Sequence, residues 1–191
     1  MLRERFRVHL SPKAKDENVV FWENYRVTVL SDRLFRIERN KERRFRDGAT
    51  QSVWYRDMPV QDFRFTAEGE RAVLETAACK LILRKEREGC LIALADGKLR
   101  KISNNGTLKG TYRTLDGCNG GYFDAPYMPE IPPHYIELEN GVCSKSGVAV
   151  FDDAESLTLC ENGEVIAERG EGTDEYVFAY GKDYRAAVRA L

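Results

Sequence analysis

From Val19 onward, apolar and polar residues alternate with a period of two. Tyr25, Val27 and Val29 interleave with Asn24, Arg26 and Thr28, and Leu34, Phe35 and Ile37 follow a Ser31-Asp32 turn. Successive side chains of a strand point to opposite faces, so this pattern predicts a hairpin with one buried face. More short strands are predicted over 60–66, 72–76 and 79–84, divided by Glu68-Gly69 and then closed by Arg87-Glu88-Gly89. Segments 91–95 and 98–102 bracket Asp96-Gly97, the strongest short-range hairpin signal in the chain. After a long gap, strands are predicted over 147–151, 157–160, 164–167 and 175–179, with Asn162-Gly163 joining the middle two. The expected fold is therefore all-β, a two-sheet antiparallel β-sandwich. The pattern changes at Asp183, a plausible N-cap followed by good helix formers, which predicts a short C-terminal helix over 183–191.

Three stretches lack this alternation. Residues 2–18 read as a short strand or an irregular lead-in, and the charge-rich run 39–48 reads as a solvated loop. The segment 103–140, with Asn104-Asn105-Gly106, Gly120-Gly121 and Pro126, Pro129, Pro132 and Pro133, reads as a long loop. Loops of that length inside a compact domain form sites or interfaces, or are disordered. Asp152-Asp153 ends a predicted strand, where neighbouring side chains face opposite ways, so a turn or capping role is expected and a metal site is not.

Composition narrows the function classes. Thirty basic residues oppose thirty-one acidic ones for a formal charge of -1, which provides no field to gather phosphate backbones or anionic lipid. No nucleic-acid or membrane partner is expected. The charged N-terminal stretch lacks a signal peptide's apolar core, and no apolar run approaches the ~20 residues that span a bilayer, so a cytoplasmic location is expected. The five cysteines, Cys79, Cys90, Cys118, Cys143 and Cys160, are odd in number and contain no Cys-x-x-Cys pair. They read as free, buried apolar fillers rather than ligands or nucleophiles, and no metal or cofactor is expected.

Four stretches resemble motifs of the N-terminal domain of glycoside hydrolase family 31, the α-glucosidases and α-xylosidases. Residues 45–60 (FRDGATQSVWYRDMPV) resemble a segment with Thr/Ser-Gln, an aromatic, then Arg-Asp and Pro-Val. Residues 108–117 (LKGTYRTLDG) are similar to Asn-Leu-Gly-Gly-Thr-x-Arg-Thr-Leu-Asp, with Thr107 and Lys109 departing from it. Residues 138–153 (LENGVCSKSGVAVFDD) resemble Gly-Leu-Leu-Ser-Arg-Ser-Gly-Trp-Ala-Val-Ile-Asp-Asp, with Val148 in place of Trp. Residues 172–184 (GTDEYVFAYGKDY) resemble Asp-x-Tyr-x-Phe-x-Tyr-Gly-x-Asp-Tyr.

The resemblance implies a galactose-mutarotase-like supersandwich. It also implies an N-terminal β-sandwich domain over 1–181 and, over 182–191, the start of a linker helix leading to a catalytic (β/α)8 barrel absent from this chain. On the residues alone, that helix is equally well a short docked one. The expected function is that of a non-catalytic domain supporting the barrel and bordering its sugar pocket, with the chain inactive by itself. Retaining glycosidases need two carboxyl groups about 5 Å apart; the resemblance places both on the barrel, and no catalytic residue is assigned here.

Arg113 and Asp116 are the candidate substrate-binding pair, since a guanidinium and a carboxylate can chelate vicinal hydroxyls. An internal salt bridge bracing the loop is the competing role. Tyr112, Tyr122, Phe123, Tyr127 and Tyr135 suit either stacking on a pyranose or packing against the barrel. The alternative function is a stand-alone carbohydrate-binding module. His9 and His134, the only histidines, are poorly placed for the acid-base chemistry of a sugar epimerase.

Overall fold

A computed structural model of the chain describes residues 8–85, 89–109, 122–123, 134–135, 139–167 and 172–191. Residues 1–7, Arg87, Glu88, Gly120, Gly121 and the prolines from Pro126 to Pro133 lie outside the described residues.

The first strands are β1 (Val19–Trp22), β2 (Tyr25–Val29), β3 (Leu34–Arg39), β4 (Ala49–Thr50) and β5 (Arg64–Glu68). Next come β6 (Arg71–Glu75), β7 (Lys80–Arg84), β8 (Leu91–Ala93), β9 (Leu99–Lys101), β10 (Tyr122–Phe123) and β11 (His134–Tyr135). The last are β12 (Ala149–Asp152), β13 (Thr158–Leu159), β14 (Val165–Ile166) and β15 (Thr173–Phe178), followed by helix α1 (Tyr184–Arg189). One five-stranded sheet runs β1-β2-β3-β15-β12 and a second runs β5-β6-β7-β8-β9. All their pairings are antiparallel.

The predicted alternation accounts for how the two sheets meet. Tyr25, Val27, Val29, Phe35, Ile37 and Val177 of the first sheet pack against Ala72, Leu74, Leu81, Leu83 and Ile92 of the second in one buried cluster. Burying each large side chain contributes about 1.5–3 kcal/mol. The Tyr25 hydroxyl donates to the Arg84 carbonyl at 3.1 Å, a hydrogen bond that crosses from one sheet to the other. The result is a β-sandwich with a short C-terminal helix, as the pattern implied.

Five local expectations need correction. The strand expected over 60–66 starts only at Arg64. Before it, the Asn18 side chain donates to the Pro59 carbonyl (2.9 Å) and accepts from the Gln61 N–H (2.7 Å), which satisfies backbone groups that a ladder would otherwise pair. The alternation beginning at Val19 also hides a separate strand, β1, and the two-residue β4 leaves no periodic trace. The 103–140 loop contains the paired β10 and β11.

The fourth and largest correction concerns the hairpin. Every residue of β2 is buried, not one face of it, because the first sheet is covered on its outer side too. Part of that cover is a second apolar cluster, in which Leu34, Cys143, Ala149, Tyr176 and Phe178 meet Ala187 of α1. The helix starts as expected, with the Asp183 carboxylate accepting the Ala186 N–H at 3.1 Å, and it docks on the sandwich. The rest of the cover brings the fifth correction: residues 41–44 are exposed, but the charge-rich run then turns inward at Arg46.

Two glycines are required by close approach. Gly172, at φ +84°, would place a Cβ 2.1 Å from the Arg39 carbonyl oxygen, and Gly147, at φ +86°, would place one 2.9 Å from the Gly181 Cα. Gly69 also has positive φ, but open space surrounds it. Gly172→Ala is therefore expected to cost more than about 3 kcal/mol, against about 1 kcal/mol for Gly69→Ala. Urea denaturation of the two variants checks the contrast.

Candidate functional site

The outer face of the first sheet carries charges at alternate positions. Arg26 on β2 lies opposite Glu38 on β3, which lies opposite Asp174 on β15. Two facing carboxylates repel, and the surrounding arginines offset this. Arg26 binds Glu38 through two bonds of 2.6 and 2.9 Å. Arg36 binds Asp174 through two bonds of 2.7 Å and reaches Glu38 at 3.1 Å. Such paired guanidinium–carboxylate contacts are among the stronger hydrogen-bonded arrangements in proteins.

The segment between β3 and β5 closes over these groups. Arg46 donates to the Ser156 and Asp153 carbonyls (2.8 and 2.9 Å) and to Asp174 (3.3 Å). Arg56, only 1% exposed, donates to the Tyr176 hydroxyl and to the Pro12 and Gly48 carbonyls. Asp153 is wholly buried and accepts from the Thr50 hydroxyl at 2.9 and 3.1 Å. Asp152 points the other way and accepts the Ala154 N–H, and the Asp153 carbonyl accepts the Ser156 N–H at 3.1 Å, so the expected turn role holds for both. The Asp153 side chain also joins the ionic cluster, because it is covered.

Burial opposes the charge on Asp174, but hydrogen bonding to Arg36 and the charges of Arg36, Arg56 and Arg46 outweigh it and hold the carboxyl below its ordinary range. For Asp153 burial wins, aided by the nearby Asp174 charge, and its carboxyl is pushed up. Burial likewise raises the Tyr176 phenol to about 12, so it stays neutral and can accept from Arg56.

Beside this cluster, on the same outer face, lies an open groove of about 500 Å³. Leu34 and Phe151 lie in its floor, Trp54 and Tyr55 form one wall, and Arg189 and Ala190 at the end of α1 form the other. Trp54 is 37% and Tyr55 50% exposed, their ring centroids are 6.5 Å apart, and the planes meet at 54°. These two aromatics were given no role in the sequence. The signal that was available is their position between Gln51-Ser52 and the buried Arg56.

The candidate pair Arg113 and Asp116, with Tyr112, Tyr127 and Cys118, lies outside the described residues. Before them in the chain, the Leu108 N–H donates to the Cys143 carbonyl at 2.8 Å. Tyr122, Phe123, His134 and Tyr135 are placed only as backbone of β10 and β11. His9 is exposed. Among the described residues, no group of three or more His, Cys, Asp or Glu side chains is arranged to hold a metal ion, and no helix is long and apolar enough to cross a membrane. Cys79, Cys90 and Cys143 are buried free thiols, and burial pushes Cys79 up to about 11 and Cys90 to about 12.

Fold and cluster together define an antiparallel β-sandwich domain with a covered outer face. No protein-family model matches the chain, and no curated protein matches it. Solved structures similar to it include a family 31 dextranase of Flavobacterium johnsoniae complexed with glucose, at 13% identity and a TM-score of 0.45 over 85% of this chain. Others are a family 31 α-xylosidase from Xanthomonas citri (13%, 0.35, over 80%) and one from a soil metagenome complexed with xylose (10%, 0.36, over 84%). The matches cover 24%, 16% and 31% of those chains respectively, so this chain spans less than a third of their length.

Removing one member of a buried ion pair strands the other. Asp174→Ala is expected to lose about 3–5 kcal/mol at neutral pH, and Asp153→Asn less, since Asp153 already disfavours its charge. Asp174, depressed in the fold, contributes stability above its unfolded value that is lost as pH falls through its folded one. Asp153, raised in the fold, works in the opposite sense. The wild type should lose stability below about pH 3.8 more steeply than Asp174→Asn, as measured by denaturant midpoints from pH 5 to 2.5.

Proposed function

We propose that this chain is the β-sandwich domain of an α-glucosidase-like glycoside hydrolase, supporting a catalytic barrel and bordering its sugar pocket. The observation that carries the reading is the convergence of the motif stretches. Arg46, Thr50 and Arg56 of the first, Asp153 of the third, and Asp174 and Tyr176 of the fourth meet in one buried cluster. Leu108, at the start of the second, is tied to Cys143 of the third. Residues as far apart in sequence as Arg46 and Asp174, 128 positions, thus act as one framework, the arrangement a supporting domain needs. In this reading Arg113 and Asp116 sit on a loop rooted in that framework and line the outer side of the pocket.

A stand-alone carbohydrate-binding module is the second reading, favoured by the exposed Trp54 and Tyr55 beside the groove. Aryl α-glucosides and α-xylosides separate the two. The isolated chain should leave them intact, and a polypeptide that continues into a barrel should hydrolyse them. Hydrolysis by the isolated chain would sink the first reading. In the barrel-containing polypeptide, Asp116→Ala is expected to raise KM about tenfold with a smaller change in kcat, the signature of lost ground-state binding. Unchanged kinetics would remove Asp116 from the pocket.

A further inference from the structure

We infer that the groove beside Trp54 and Tyr55 is a binding site for a neutral pyranose, built by residues other than the Arg113 and Asp116 pair. The volume of about 500 Å³ suits a small ligand rather than a peptide strand or helix. Its lining contains aromatic and aliphatic side chains with a few polar groups, Gln51, Ser52 and Arg189, and no Asp or Glu side chain. No acidic side chain there pairs with a cationic ligand, and the single guanidinium is exposed at the rim. What the lining does complement is an uncharged ring with one apolar face and hydrogen-bonding groups around its edge. A pyranose has this form: axial C–H groups on its face and hydroxyls at its equator.

The aromatic wall is held before any ligand arrives. The Trp54 indole N–H donates to the Gln51 carbonyl at 3.2 Å, fixing the ring. Thr50 and Val53 exchange bonds of 2.9 and 3.0 Å, and the Gln51 N–H donates to the Leu157 carbonyl at 3.0 Å. On the other side, Ser11 pairs with the Trp54 carbonyl and the Arg56 N–H, and the Arg56 side chain is locked in the ionic cluster. The wall is therefore ordered by folding, and ligand binding has little conformational entropy left to overcome. At 54° to each other, the two rings make a notch in which one stacks on the ligand's C–H face and the other meets its edge.

The inference rests on the proposed function only for the choice of α-glycosides as probes. The test is a titration of the 191-residue chain with methyl α-glucoside and methyl α-xyloside, followed by the indole N–H resonances of its two tryptophans. The Trp54 resonance should shift saturably with a Kd on the order of 1–30 mM, while that of Trp22 stays put. Tyr55→Ala, at a half-exposed side chain, should weaken binding about tenfold with little change in Tm, and Trp54→Ala should abolish it. If Trp54→Ala fails to fold, the wild-type titration and Tyr55→Ala decide alone.

Three results would overturn the inference: no saturable shift at sugar concentrations of about 100 mM, an equal response to sorbitol, which has no ring face, or tighter binding of adenosine, a flat aromatic. Such a result would leave the proposed function standing. Conversely, saccharide binding through Trp54 together with no glycosidase activity in a barrel-containing polypeptide would remove the proposed function and keep the groove.

Discussion

The paired hydrogen bonds between Arg36 and Asp174 are the constraint around which the outer half of the molecule is organised. A buried ion pair adds little net stability over a well-packed apolar one, because desolvating both charges costs nearly what their attraction returns. It does penalise every arrangement that separates them. Sliding β3 by one residue against β15 would turn Arg36 and Glu38 into the sandwich interior among Leu74, Leu81 and Leu83, and would turn Phe35 and Ile37 outward. Charge on one face and hydrocarbon on the other therefore specify the same register.

Charges on a sheet face are buried only if something covers them, and here the cover arrives with charges of its own. Arg46 and Arg56 bring the segment between β3 and β5 down onto Asp153, Asp174 and Tyr176. That anchoring sets where residues 51–55 run, and hence where Trp54 and Tyr55 stand at the groove. The buried cluster and the exposed aromatics are two consequences of one folded segment. A change at Arg56 would reach the groove without any contact to whatever occupies it.

The same chemistry limits what the described side chains do themselves. Glu38, Asp153 and Asp174 are tied to arginines or to Thr50 and lie away from solvent, so they hold structure rather than exchange protons with a substrate. The buried thiols of Cys79 and Cys90 stay protonated and pack as small apolar groups.

Much of the fold was legible from the period of the side chains alone. β2, β3, β6, β7 and the hairpin at Asp96-Gly97 fall where alternation and turn chemistry put them, because those signals are local and the inner face of each strand must be apolar. Asp183 announced the helix for the same reason. The outer cover was not legible. Arg26 reads as a polar position on the open face of a hairpin, Arg46 as part of a solvated loop, and Asp153 as a turn residue with no ionic partner. A charge in a sequence looks the same whether water or a distant opposite charge will solvate it. Arg36 and Asp174 are 138 residues apart, and no local pattern links them. The groove follows from long-range contacts of the same kind, those of Arg46 and Arg56 with Asp174 and Tyr176, so only the tertiary structure decided where Trp54 and Tyr55 would stand and that they would be held there.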